Sequence, residues 1–130
     1  MIKKLVIFFI FILILFLLLY FLIFKDKKDF VYFNLEGKNY LLKEAKTPKE
    51  WQEGLSFIKK PVDYDGMIFI FPDKQIRYFW NKNTFVDLEI FWLDDDKIIG
   101  KSYLPSILKT KNVITITSPA PVNKVVEIIK

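Results

Sequence analysis

The chain has no histidine and no cysteine, only four glycines, and a single arginine, Arg77. Lack of histidine and cysteine excludes Ser-His and Cys-His nucleophilic pairs and removes the commonest zinc ligands. Lack of cysteine also excludes disulfides and a lipid-modified cysteine. Four scattered glycines do not build the backbone nest of a phosphate loop. One arginine and no basic-aromatic stripe argue against nucleic acid as a partner. No cofactor or metal is expected.

What is present in excess is apolar. Leu5 to Phe24 runs for 20 residues without glycine, proline or charge. As a helix it would be about 30 Å long, the thickness of a bilayer's hydrocarbon core, with every backbone polar group satisfied internally. The 106 remaining residues are too few to cover a helix that is apolar on all sides. Residues 5–24 are therefore expected to lie in a lipid bilayer as a single-pass anchor. A cleaved signal peptide is the rival reading. It is disfavoured because Tyr20-Phe21-Leu22-Ile23-Phe24 passes straight into Lys25-Asp26-Lys27-Lys28-Asp29 without a small-x-small site. Lys3 and Lys4 against Lys25, Lys27 and Lys28 barely discriminate orientation. The short N-terminal flank favours a cytoplasmic N-terminus and an extracytoplasmic C-terminal domain at the cell membrane.

Residues 25–29 read as a charged juxtamembrane linker, and 30–130 as one domain. Beyond the anchor there are 18 basic and 15 acidic side chains, a net charge of only +3. Phe30 to Leu35 and Tyr40 to Ala45 read as a hairpin around Glu36-Gly37-Lys38-Asn39. Thr47-Pro48-Lys49-Glu50 carries an N-cap threonine, a proline at the first helical position and a capping-box glutamate, predicting a short helix near 47–54. Met67 to Phe71, bounded by Gly66 and Pro72, reads as a strand buried on both faces. Pro72 to Gln75 reads as a turn, followed by strands over Ile76–Trp80, Phe85–Leu93, Lys97–Tyr103, Val113–Thr117 and Val125–Ile129. The fold class expected is mainly β (α+β), a compact barrel-like or sandwich domain with one short helix. Periodicity does not choose between the two closures.

Three polar groups compete for a functional role. Asp94-Asp95-Asp96 lacks the spacing of a calcium loop and reads as a solvated hairpin turn. Asp87 and Glu89, two apart on an expected strand, would share a face and could in principle do acid-base chemistry with Lys82. Solvent-facing strands commonly carry such pairs. Trp80 with Asn81, Asn83 and Thr84 could offer a flat apolar face beside hydrogen-bonding groups, suited to a sugar ring or an extended peptide. Alternatively, Trp80 packs in the core while Asn83 and Thr84 bond the backbone of a sharp bend.

Gly54-Leu55-Ser56-Phe57, Asp65-Gly66-Met67-Ile68-Phe69-Ile70-Phe71, Phe79-Trp80-Asn81-Lys82-Asn83-Thr84, Leu88-Glu89-Ile90, Pro119-Ala120 and Val125-Val126-Glu127 follow one another in an order that resembles the Domain of Unknown Function 192 (DUF192) family. The resemblance spans Leu41 to about Lys130. This copy departs from the family pattern at Ser56, Ile58, Asn81, Asp87 and Glu89. Ile58 stands in place of an arginine and Glu89 in place of an aspartate, so any charge pairing between those positions is altered. The resemblance implies a small, mainly β prokaryotic domain, often exported or membrane-anchored, with no established activity. It implies a candidate binding site at Trp80, Lys82, Asn83, Thr84 and Glu89.

The expected function is thus non-catalytic binding of an envelope glycan or a protein partner. The alternatives are a carboxylate-dependent enzyme using Asp87 or Glu89 with Lys82, and an assembly module for a membrane complex.

Overall fold

The computed structural model describes residues 1–24 and 30–130, so the linker expected at 25–29 lies outside the described residues. Helix α1 (Ile2–Phe24) holds the apolar run. By length and composition it is able to cross a membrane, and a signal sequence meets the same description.

The rest is mainly β. Strands β1 (Phe30–Leu35) and β2 (Lys38–Ala45) form the expected hairpin, paired from Phe30↔Lys43 to Leu35↔Lys38. Glu36 and Gly37 at its tip both have positive φ, 52° and 86°, the conformation that matches the strand twist in a two-residue turn. Helix α2 (Pro48–Glu53) begins as its sequence dictates. The Thr47 hydroxyl accepts from the Glu50 N–H, and the Glu50 carboxylate accepts from the Thr47 N–H at 3.0 Å.

Strand β3 (Gly66–Gln75) lies parallel to β2. The expected turn at Pro72–Gln75 is instead the far end of this strand. A register irregularity between Ile70 and Gln75 lets Pro72 sit in the strand without breaking a regular ladder. Strands β4 (Tyr78–Trp80), β5 (Leu88–Asp94), β6 (Lys97–Leu104), β7 (Thr115–Thr117) and β8 (Val122–Ile129) follow, with a short helix α3 (Ile107–Thr110) before β7. Four residues carry too little periodicity to announce α3, but its Ser106 cap is in place, the hydroxyl accepting from the Leu108 N–H at 3.1 Å.

The main sheet is open, ordered β1-β2-β3-β8-β5-β6, and β4 pairs with β7 in a separate ribbon. Both faces are covered. On one, Met67, Phe69, Leu88, Ile90, Trp92 and Val125 pack beneath α2 and the ribbon, which contribute Trp51, Phe79 and Ile116. On the other, Ile68, Phe91, Leu93, Val126 and Ile128 pack with Leu35 and Leu42 of the hairpin. The sheet curls until the hairpin tip meets the opposite edge, where Lys101 Nζ lies 2.5 Å from Glu36 Oε1. Strands β3, β5 and β8 lie inside the sheet and send apolar side chains to both faces, which is why they carry near-continuous hydrophobic runs.

Candidate functional site

The polar segment after β4 divides between structure and surface. Asn81 is fully buried and completely bonded. Its side-chain amide donates to the Pro105 carbonyl at 3.0 Å and the Thr110 hydroxyl at 2.8 Å, and its Oδ1 accepts from the Ile114 N–H at 2.9 Å. The chain then reverses through Lys82 and Asn83, closed by the Thr84 N–H donating to the Asn81 carbonyl at 3.0 Å. Asn83 has φ 56°, a left-handed conformation that asparagine tolerates well. Its carbonyl accepts from the Phe57 N–H at 2.8 Å, and the Thr84 carbonyl accepts from the Ile107 N–H at 2.9 Å. Asn81, Asn83 and Thr84 thus tie β4 to the loop after α2, to α3 and to the approach to β7.

Trp80 does not share the core. Within β4, Phe79 points inward, meeting Phe69 edge-on at 4.9 Å and Trp92 at 5.6 Å between centroids. The alternation of a strand sends Trp80 the other way, and it remains 55% exposed. Trp80, Lys82 and Thr84 line a cleft of about 460 Å³ between the end of α2 and the start of the ribbon. That size lies within the range of small-molecule sites.

Aromatic contacts build the cleft. Trp51 stands 4.9 Å from Phe71, and its indole N–H donates to the Ala45 carbonyl at 3.0 Å. The Arg77 guanidinium lies 3.9 Å above the Phe71 ring and is held by the Asp73 carboxylate at 2.8 Å. Hydrogen bonding from Arg77, then from Gln75, keeps the Asp73 carboxyl below its ordinary value.

Glu127 of β8 also lines this cleft. It projects from the sheet between Met67 and Ile90, its partners in register, and is only 4% exposed. Burial raises its carboxyl to about 8, so the group is predominantly neutral at pH 7. In the sequence its signal was one acid within Val125-Val126-Glu127-Ile128-Ile129, a run that is otherwise apolar. Sequence reasoning used that segment only as part of a resemblance.

The two carboxylates considered at the sequence level go elsewhere. The strand begins at Leu88, so Asp87 precedes it and does not share a face with Glu89. Asp87 accepts from the Ser106 N–H at 2.9 Å and pairs with Lys109. The Lys109 hydrogen bond, followed by that of Ser106, lowers its pKa. Glu89 pairs with Lys130 at 2.7 Å and stands in register with Ile128 on the face opposite the cleft. Neither acid lines the cleft with Lys82. Asp95, in the β5–β6 turn, accepts from Lys74 and Asn123, both at 3.0 Å, consistent with a solvated turn.

The class defined by this geometry is a small α+β domain with a curled, open sheet and an aromatic-walled cleft. The chain belongs to the DUF192 family, described as "Uncharacterized ACR", whose profile matches residues 31–130. No curated protein matches the chain significantly. Two solved structures share the fold. One is a candidate transcription regulator from Sinorhizobium meliloti 1021, 23% identical, with a TM-score of 0.60, covering 75% of this chain and 76% of that one. The other is a protein of unknown function from Novosphingobium aromaticivorans DSM 12444, 20% identical, with a TM-score of 0.58, covering 80% and 83%.

Proposed function

We propose that this protein is a single-pass, membrane-tethered binding module whose extracytoplasmic domain takes an envelope glycan into the cleft beside Trp80. The observation that carries the reading is the exposed indole on a cleft wall. A flat apolar ring beside donors and acceptors suits the apolar face and hydroxyl edge of a sugar. Helix α1 supplies the tether, with the lipid bilayer as its partner. The domain's candidate contacts are Trp80, Lys82 and Thr84, with Asn83 shaping the turn that presents them.

Titration of the full chain in detergent micelles with envelope glycan fragments, followed by tryptophan fluorescence, tests this reading. Saturable change that is lost in Trp80→Ala supports it. Unchanged fluorescence across the fragment series removes the glycan reading, and cross-linking in native membranes then addresses a protein partner at the same surface.

A further inference from the structure

We propose that Glu127 sets the specificity of the cleft, and that the ligand carries a primary amine whose ammonium group pairs with the Glu127 carboxylate. The inference rests on the glycan-binding reading above and narrows its ligand to an amino sugar.

Three observations converge on this assignment. First, the Glu127 side chain is almost wholly buried, yet it makes no hydrogen bond or ion pair among the described residues. An unpartnered carboxyl at such a position is costly, whereas an apolar side chain would pack between Met67 and Ile90 without that cost. Second, it opens into the cleft rather than into the sheet's sealed interior. A ligand can therefore supply the missing partner.

Third, the cleft walls are aromatic, with Trp51, Phe71, Phe79 and Trp80 among them. Aromatic faces attract cations through their ring quadrupoles, and this cleft already uses them so. Arg77 lies 3.9 Å above Phe71, and Lys82 Nζ lies 6.0 Å from the Trp80 centroid. An ammonium group brings three donors and a charge to this unsatisfied acid. A hydroxyl brings neither the charge nor the same number of donors.

The proton balance follows. Before binding, the buried carboxyl of Glu127 holds its proton. When a ligand ammonium enters, the carboxyl ionises, the ammonium and carboxylate pair, and one proton passes to the buffer. No covalent bond forms or breaks. The other ionisable groups lining the cleft are Glu53, Arg77, Tyr78 and Lys82. Glu53 faces Lys49 at 3.8 Å and Arg77 is held by Asp73. The register neighbours of Glu127, Met67 and Ile90, carry no charge.

Calorimetric titration of the full chain in non-ionic micelles compares a glucosamine tetramer with its fully N-acetylated counterpart. At about pH 6 both the ligand amine and Glu127 are protonated before binding. Two buffers of different ionisation enthalpy report protons released. The expected result is binding of the amine form about tenfold or more tightly, with close to one proton released per amine bound at Glu127. Glu127→Gln should equalise the two ligands and abolish the release while retaining binding of the acetylated form. Equal affinities without proton release overturn the amine inference and leave the glycan reading standing. Binding of neither ligand overturns both. Should Glu127→Gln fail to fold, the paired ligands on the unaltered chain still decide the question.

Discussion

Lys82 Nζ lies 6.0 Å from the centroid of the Trp80 ring at the cleft wall. The two side chains come from one short polar segment, yet neither holds the domain together. Phe79, between Tyr78 and Trp80, carries the core contacts. An exposed cation–π pair contributes about 0.5–1 kcal/mol. Trp80→Ala is therefore expected to change stability by no more than about 1 kcal/mol. The same change should reduce glycan affinity about tenfold or more. Urea unfolding and ligand titration on one preparation separate the two effects.

Asn81 is the structural member of that segment. Its side chain satisfies a carbonyl, a hydroxyl and a backbone N–H in a fully buried corner. Asn81→Ala leaves those groups unpaired and is expected to cost about 2–4 kcal/mol. Asn81→Met should also destabilise, because methionine cannot accept strongly from the Ile114 N–H. Denaturant midpoints measure both.

Glu127 gives stability an unusual pH dependence. Burial raises its native pKa from 4.5 to about 8, so between those values the folded state keeps a proton that the unfolded state has released. Its contribution is complete below pH 4.5, declines as pH rises through that window, and is lost above pH 8. Glu127→Gln should remove a decline on the order of a few kcal/mol between pH 5 and pH 9. Asp87 acts in the opposite sense. Its lowered pKa, due first to Lys109, contributes above the ordinary carboxylate value and is lost as pH falls through the lowered one. Urea midpoints of the unaltered chain and Glu127→Gln, taken from below the ordinary carboxylate value up to pH 9, resolve the two windows.

The proposed tether makes its own prediction. The full chain should remain in carbonate-washed membranes with its N-terminal helix intact by mass spectrometry, and external protease should digest the β domain in spheroplasts. Leu13→Arg at mid-helix should raise the cost of insertion by about 2.5–3.5 kcal/mol and move protein into the soluble fraction. A mature chain lacking the N-terminal segment through α1 would instead identify α1 as a signal sequence.

Local signals in the sequence carried local structure well. The capping box at Thr47 and Glu50, the β1–β2 hairpin and the apolar strand through Met67 to Phe71 all recur in the fold. Each depends on neighbours within a few residues. The strand order and curl of the open sheet were not legible, because they depend on pairing across the chain, such as β3 with β8 and Glu36 with Lys101. Pro72 misled for a related reason, since an irregular strand accommodates a residue that a regular ladder rejects.

The candidate site was half legible. Trp80, Lys82 and Thr84 line the cleft, and Asn83 shapes the turn beside them. Glu89 had the right sequence proximity but lies on the opposite face, where strand alternation and the Lys130 partner place it. Glu127 was the residue to notice. A lone acid on an apolar strand is either exposed at an edge or buried for a reason, and only the pairing of β8 between β3 and β5 shows which.

The most direct measurement follows the indole N–H resonances of the three tryptophans while glucosamine tetramer is added to the full chain in micelles. Trp51 and Trp80 line the cleft, whereas Trp92 is buried and donates to the Ser102 hydroxyl at 2.8 Å, an internal control. Ligand binding in the cleft predicts saturable shifts at Trp80 and Trp51 with Trp92 unmoved, and loss of the tetramer's advantage over its acetylated form in Glu127→Gln. Stationary Trp80 and Trp51 resonances at saturating ligand would contradict it.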